Sequence, residues 1–175
     1  MRQLVTRVLQ DDPGIEVVGS AKSAQQAREL IKLLNPDVMT LDVEMPEMDG
    51  LSFLERVMRL RPMPVVMVSS MTAKGTDTTI EALALGAVDC VVKPSADNPL
   101  SFDELPGKVR VASKVRRRPP VAAAIEQTPS VSASYPPDGK VVAIGSSTGG
   151  VEALISILTA FPANCPPTLI TQHMP

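Results

Sequence analysis

Aromatic side chains are almost missing from this 175-residue chain: three Phe, one Tyr and no Trp make up 2% of it. A protein that binds single-stranded nucleic acid needs such rings as stacking platforms, and that class is set aside at the outset. Cysteine occurs twice and histidine once. Cys90 and Cys165 lie far apart, without C-x-x-C spacing and beside apolar or Pro-rich sequence. Neither a disulfide framework nor a thiolate metal site is expected of them, and they read as reduced, incidental thiols. Long hydrophobic runs are missing too. No window approaches the roughly 18 apolar residues of a membrane span, and the start of the chain has no apolar stretch of signal length. The expectation is a cytoplasmic protein without membrane insertion. Nor is there an excess of charge of either sign: 17 Lys and Arg against 19 Asp and Glu give a net −2. Nothing in that balance draws the chain to nucleic acid or to anionic lipid, so partners must be recognised locally.

What is present is an alternation. With 44% hydrophobic residues, the chain is long enough for one ordinary domain and part of another. Across residues 15–94, short apolar runs alternate with helical periodicity, the pattern of a parallel sheet covered by helices on both faces. Strands are expected at 15–19, 37–41, 65–68 and 90–92, all β-rich runs bounded by Pro, Gly, Asp or Ser, and buried on both faces. A helix is expected after the Ser23/Gln26 capping pair, where Ala27, Leu30, Ile31 and Leu34 share a stripe until Pro36 stops it. Others are expected at 51–61, at 77–85 with Gly86 beyond, and at 101–115.

From Arg116 the composition turns to arginine, proline and small residues without apolar periodicity. Residues 113–138 are therefore taken as a linker. The Arg116-Arg117-Arg118 cluster could be read as a nucleic-acid patch, but a helix C-terminus running into solvated chain explains it equally well. A second α/β unit opens at 139. Lys140 to Ile144 has strand character, Gly145 to Gly150 is a glycine-rich turn, Val151, Leu154, Ile155 and Leu158 form a helical stripe, and Thr168 to Thr171 is one more strand.

Chemistry gathers at the ends of these strands, where ligands bind in open parallel sheets. Asp42, Ser69 and Lys93 each follow a strand of the first unit. Singly, Asp42 could cap a turn, Ser69 end a strand and Lys93 be a solvated charge; together they would bring a carboxylate, a hydroxyl and an ammonium to one edge. In the second unit Gly145-Ser146-Ser147-Thr148-Gly149 satisfies G-x-S-x-G in a strand-turn-helix context, which exposes a serine hydroxyl above a sheet. A phosphate-binding or purely structural turn has the same outline. The one histidine, His173, follows the next strand.

Two sets of motifs go beyond chemistry of type and spacing. Pro36-Asp37-Val38, Leu41-Asp42-Val43-Glu44-Met45-Pro46, Asp49-Gly50-Leu51, Val65-Val66-Met67-Val68-Ser69-Ser70 and Gly86-Ala87-Val88-Asp89 with Lys93-Pro94 closely resemble response-regulator receiver domains over residues 1–112. Val142-Ala143-Ile144-Gly145-Ser146-Ser147-Thr148-Gly149-Gly150 and Gln172-His173-Met174-Pro175 resemble the opening of the chemotaxis protein-glutamate methylesterase domain, taken as 139–175. The resemblance implies a flavodoxin-like doubly wound sheet followed by the first β-α-β part of a second α/β domain. It implies Asp42 as phospho-acceptor, Ser69 and Lys93 as its phosphate-binding partners, and 67–74 as the loop that moves. It also implies Ser147 as nucleophile with His173 as general base, hydrolysing glutamyl methyl esters and deamidating glutamines on chemoreceptors. A chemotaxis histidine kinase would phosphorylate the receiver and relieve its cover over the esterase site.

Departures from the pattern shape further expectations. Cys90 stands where receivers usually carry an aromatic residue. Receivers hold Mg²⁺ with an acidic pair, the acceptor Asp and a backbone carbonyl. Here Asp42 and the carbonyl near Glu44 match, but the chain starts at what resembles the helix after the acidic pair, and Asp11-Asp12 belong to a turn at the opposite sheet end. In a sheet ordered 2-1-3-4-5 the strand lacking is central, so an unfilled slot and a poorly cooperative receiver are expected unless 140–144 fills it. The triad Asp is expected beyond the residues present, so the chain is expected to be inactive as an esterase. A receiver module without catalysis is the alternative. A DNA-binding regulator is disfavoured by a strand and glycine turn where a helix-turn-helix would stand.

Overall fold

The computed structural model describes residues 1–70, 73–115, 139–162 and 164–173. Helix α1 (Arg2–Gln10) and helix α2 (Ala24–Leu34) precede strand β1 (Met39–Asp42), helix α3 (Gly50–Leu60), strand β2 (Val65–Ser69), helix α4 (Ala73–Ala84), strand β3 (Asp89–Val92) and helix α5 (Leu105–Ala112). The second unit is strand β4 (Val142–Ser146), helix α6 (Gly150–Thr159) and strand β5 (Thr168–Gln172). Among the described residues, no helix is long and apolar enough to cross a membrane. Of the expected linker at 113–138, residues 116–138 with the arginine cluster lie outside the described residues, as do 71–72 of the expected moving loop.

The sheet β1-β2-β3 is parallel throughout, as the apolar runs predicted. Period-two alternation along β2 sends its side chains to two separate cores. Val65 and Met67 pack with Ile31 of α2, Phe53, Leu54 and Val57 of α3 and Ala82 and Leu83 of α4. Val66 and Val68 pack with Leu9 of α1 and Leu105, Val109 and Ala112 of α5. Helices therefore cover both faces, and β2 is buried along its whole length.

Local chemistry sets the helix ends. Ser23 Oγ accepts from Gln26 N at 3.3 Å, while Gln26 Oε1 accepts from Lys22 N at 2.7 Å rather than from the cap residue itself. At the other end of α2, Asn35 takes a left-handed conformation (φ 46°) and its amide closes on Ile31 O; Pro36 follows. Gly50 opens α3 because a Cβ there would lie 2.3 Å from the Asp42 carbonyl oxygen. That close approach seats α3 against the loop after β1, and the Gly50 amide bonds Val43 O at 2.9 Å.

Three expectations need correction. Residues 15–20 form no strand. A strand needs a hydrogen-bonding neighbour, and this segment faces the outer edge of β1 across a cleft of about 670 Å³ lined by Val5, Ile15, Val17, Ile31, Val38 and Thr40. Ile15 and Val17 keep only their apolar contacts with the second core. For the same reason β1 is half-buried, with only Leu41 fully inside. The expected helix at 101–115 contracts to Leu105–Ala112, because Pro106 is confined to its first turn and 101–104 form turns instead. Finally, α4 starts at Ala73 rather than at 77.

The slot beside β1 is not taken by the 140–144 segment. Strand β4 pairs in parallel with β5, from Val142↔Thr168 to Ser146↔Gln172, as a separate two-stranded sheet.

Candidate functional sites

Parallel register brings the ends of β1, β2 and β3 level: Asp42 lies opposite Val68, and Ser69 opposite Val92. Lys93, the next residue, bonds its amide to Ser69 O at 2.7 Å. Its ammonium then reaches Asp42 Oδ1 at 2.8 Å and Glu44 Oε2 at 2.9 Å. Asp42 Oδ1 also accepts the Glu44 amide at 2.9 Å. Asp42 and Lys93 are thus in contact, while Ser69 stands buried at the strand end between them. The hydroxyl that reaches this charged group is that of Ser70, which donates to Glu44 Oε1 at 3.2 Å.

Two residues here were not singled out in the sequence: the Glu44 side chain, of which only the carbonyl had been considered, and Ser70. Both lie in the loops just past the strand ends, where neither strand nor helix periodicity tells which way a side chain turns. The bond from Lys93, then its charge, then the bond from Ser70 hold the Glu44 carboxyl below its ordinary 4.5. Burial pulls Lys93 down, but bonds to Asp42 and Glu44 and their charges outweigh it, so its pKa is raised. Cys90, in the core behind the site, is pushed up to about 12, first by burial and then by the charge of Asp89. It is an inert core thiol.

The second site forms where β4 and β5 end side by side. The His173 amide bonds Ser146 O at 2.9 Å, which carries the β4-β5 ladder one residue past the strands. Ser147 Oγ and His173 Nδ1 come within 3.4 Å, with both residues at the surface. That is long for a hydrogen bond. Among the described residues no carboxylate bonds the other ring nitrogen. Gln172 was quoted only as part of a motif, yet it has the densest bonding of any side chain here. It accepts from Ser146 Oγ at 2.6 Å and donates to Ser147 O at 3.0 Å and His173 O at 2.7 Å.

The serine turn also touches the first unit. Thr148 Oγ1 donates to Asp89 Oδ2, and the Gly149 amide bonds Val88 O at 3.1 Å. Asp89 is itself held by the buried Lys108, whose ammonium lies 3.1 Å from Asp89 Oδ1 and 2.9 Å from Cys90 O. Pairwise contact between distant segments leaves no trace in periodicity, and Thr148, Asp89 and Lys108 were missed for that reason.

A divalent metal at the first site is a separate question. Among the described residues, no group of three or more His, Cys, Asp and Glu side chains could hold one. Asp12 accepts from Gly14 N at 2.9 Å and pairs with Arg110 at 3.0 Å. Asp42 and Glu44 are both bound by an ammonium. Mg²⁺ demands near-octahedral oxygen ligation, and the residues present do not provide it.

Comparison with known proteins matches residues 1–101 to the response regulator receiver domain family and residues 142–175 to the CheB methylesterase family. A protein-glutamate methylesterase/protein-glutamine glutaminase of Agrobacterium fabrum is 56% identical over 181 residues, covering all of this chain and 51% of the relative. Its counterpart in Rhizobium etli is 57% identical over 176 residues, covering all of this chain and 50% of the relative. The chain spans about half the length of the curated relatives it matches. Among solved structures, the response regulator domain of Thermotoga maritima CheB superimposes with a TM-score of 0.60 at 40% identity, covering 67% of this chain and 90% of that one.

Proposed function

The chain belongs to the response-regulator receiver family, in the branch whose members continue into a methylesterase segment, and from that premise we propose that Asp42 accepts a phosphoryl group and thereby governs a serine esterase centred on Ser147. The observation that carries the proposal is the Lys93 ammonium 2.8 Å from Asp42 Oδ1 at the carboxyl end of the sheet. A carboxylate oxygen attacks the phosphorus of a phosphodonor and the leaving group departs in line. The added negative charge is met by Lys93 and by the Ser69 hydroxyl at the adjacent strand end. Mg²⁺ serves receivers as a family.

The esterase reading gives Ser147 the nucleophilic role and His173 that of base. Ser147 Oγ bonds to the ester carbonyl carbon, its proton passes to His173, and methanol leaves with that proton to give an acyl-serine that water resolves. Glutamyl methyl esters on chemoreceptors are the proposed substrates, with deamidation of receptor glutamines as the parallel reaction. A chemotaxis histidine kinase is the proposed phosphodonor. The docking of Val88 and Asp89 onto the turn supports a receiver that covers this site, because the Gly149 amide at the start of α6 is engaged by Val88 O. An amide so placed is no longer free for an oxyanion.

Incubation with acetyl phosphate and intact-mass detection tests the proposal. One phosphoryl group is expected, in low yield because the described residues offer Mg²⁺ no octahedral set of ligands, and none on Asp42→Asn. Undiminished phosphorylation of the Asp42→Asn chain would overturn it.

A further inference from the structure

The serine and histidine of the second site each follow a different strand, and the ladder between them ends at the His173 amide. Something must hold their side chains in register beyond that point. We infer that Gln172 is the positioning residue of this pair: its amide clasps the nucleophile turn to the histidine strand. The inference rests on the esterase reading of Ser147 and His173.

One planar amide makes three bonds. Its Nε2 donates to Ser147 O at 3.0 Å and His173 O at 2.7 Å, the backbone carbonyls of the two reacting residues themselves. Its Oε1 accepts from Ser146 Oγ at 2.6 Å, on the residue before the nucleophile. The orientation of the amide is settled by its partners. Turned over, Oε1 would face two carbonyl oxygens, which donate nothing. Both of its donors and one of its acceptor sites are thereby committed, and Ser147 and His173 are joined through a single rigid group.

An independent observation comes from the other side of the amide. A Cβ on Gly150 would lie 2.4 Å from Gln172 Oε1, 2.6 Å from Ser146 Cβ and 2.8 Å from Ser146 Oγ. The backbone at Gly150 carries no positive φ that would itself require glycine. As the first residue of α6, it would be better served by alanine on helix propensity alone. Glycine there makes room for the clasp. Gly150 N in turn bonds Ser147 O at 2.7 Å, so the carbonyl that Gln172 grips is shared with the helix start.

Gln172 touches no reacting atom, so its effect must be read through the pair it holds. Because His173 is the only histidine of the chain, its ring signals are identified in an NMR spectrum of the intact protein without assignment ambiguity. In the otherwise unsubstituted chain, Ser147→Ala is expected to move the chemical shifts of those ring signals, since a hydroxyl 3.4 Å from Nδ1 is removed. In Gln172→Ala that Ser147-dependent shift is expected to vanish, because the two side chains no longer share a fixed geometry. Gly150→Ala, which leaves Gln172 in place but pushes its amide aside, should abolish it equally. Amide signals of Val142 to Ile144 and Thr168 to Ile170 report that β4 and β5 remain paired. Should Gln172→Ala lose them, Gln172→Glu carries the test, since it keeps an acceptor for Ser146 and loses both donors. A Ser147-dependent shift that survives in these variants overturns the positioning role. Absence of the shift in the unsubstituted chain instead overturns the Ser147–His173 pairing on which the role depends.

Discussion

At the scale of single residues, the first site turns on how Lys93 divides itself between two carboxylates. Its Nζ lies 2.8 Å from Asp42 and 2.9 Å from Glu44, so any charge added to Asp42 competes for an ammonium already shared. The Glu44 carboxyl is held below 4.5 by Lys93 and then Ser70. A depressed carboxylate favours the fold while ionised. Its contribution is full above about pH 4.5 and is lost as pH falls through the lower folded value. Lys93 has the opposite sign: its raised pKa makes its contribution full below about 10.5, and that is lost at higher pH. Between those limits the tie should be constant, and a carbon-detected NMR titration of the Glu44 carboxyl should show a midpoint below 4.5 that returns toward 4.5 in Lys93→Met. An unshifted midpoint in the unsubstituted chain would mean that Lys93 is not bound to Glu44 in solution. Because Glu44 is exposed, the global stability change should be small. Asp42 and Lys93 were legible in the sequence because strand ends announce themselves by composition. The Glu44 carboxylate was not, because nothing in a sequence says which way a loop side chain turns.

At the scale of elements, the legible parts were those whose partners lie nearby in the chain. Helix α2 declared itself through Ser23, the Ala27-Leu30-Ile31-Leu34 stripe and Pro36; β2 declared itself as an unbroken apolar run. The segment 15–19 has equal strand character, yet forms none, since a strand exists only with a neighbour and propensity cannot supply one. Helix α5 was legible in kind but not in extent, because Pro106 sets its start. A cover of the receiver over the serine turn was implied by resemblance, but the residues that make the junction were not legible. There, Thr148→Val removes only the hydroxyl that Asp89 accepts and keeps the volume of the side chain. A hydrogen bond to a charged group contributes about 1.5–3 kcal/mol, so exchange of the neighbouring Gly149 amide, bonded to Val88 O, should speed up by about tenfold or more. Unchanged exchange would show that the two units are not docked through this pair. Asp89→Ala is the less clean probe: it strips the carboxylate from Lys108, which is buried and would keep only Cys90 O at 2.9 Å and Glu104 at 3.7 Å.

At the scale of the whole molecule, the three-stranded sheet leaves its β1 edge facing a cleft. The amides of Met39 and Val43 bond to Pro64 O and Val68 O on the β2 side. Alternation along β1 therefore turns the peptide groups of Thr40 and Asp42 toward the 670 Å³ cleft, where residues 15–20 give them no ladder. Each such group costs about 1–3 kcal/mol if it is kept from water, and a whole domain is stabilised by only about 5–15 kcal/mol. Water must enter the cleft, or the edge must open. Either way β1 belongs to the least stable part of the molecule, while β2, flanked on both sides and buried throughout, belongs to the most stable. Hydrogen exchange should resolve this as a gradient: fast at Thr40 and Asp42, intermediate at Leu41, slowest at Val66 and Val68. Uniform protection from Val38 to Leu41 equal to that of β2 would refute it and would require a strand in the cleft. The second unit does not provide that strand, because β4 is paired with β5 from Val142 to Ser146. Deleting residues 139–175 should accordingly leave exchange across 38–41 unchanged, and increased exchange there would show that 140–144 enters the slot in solution.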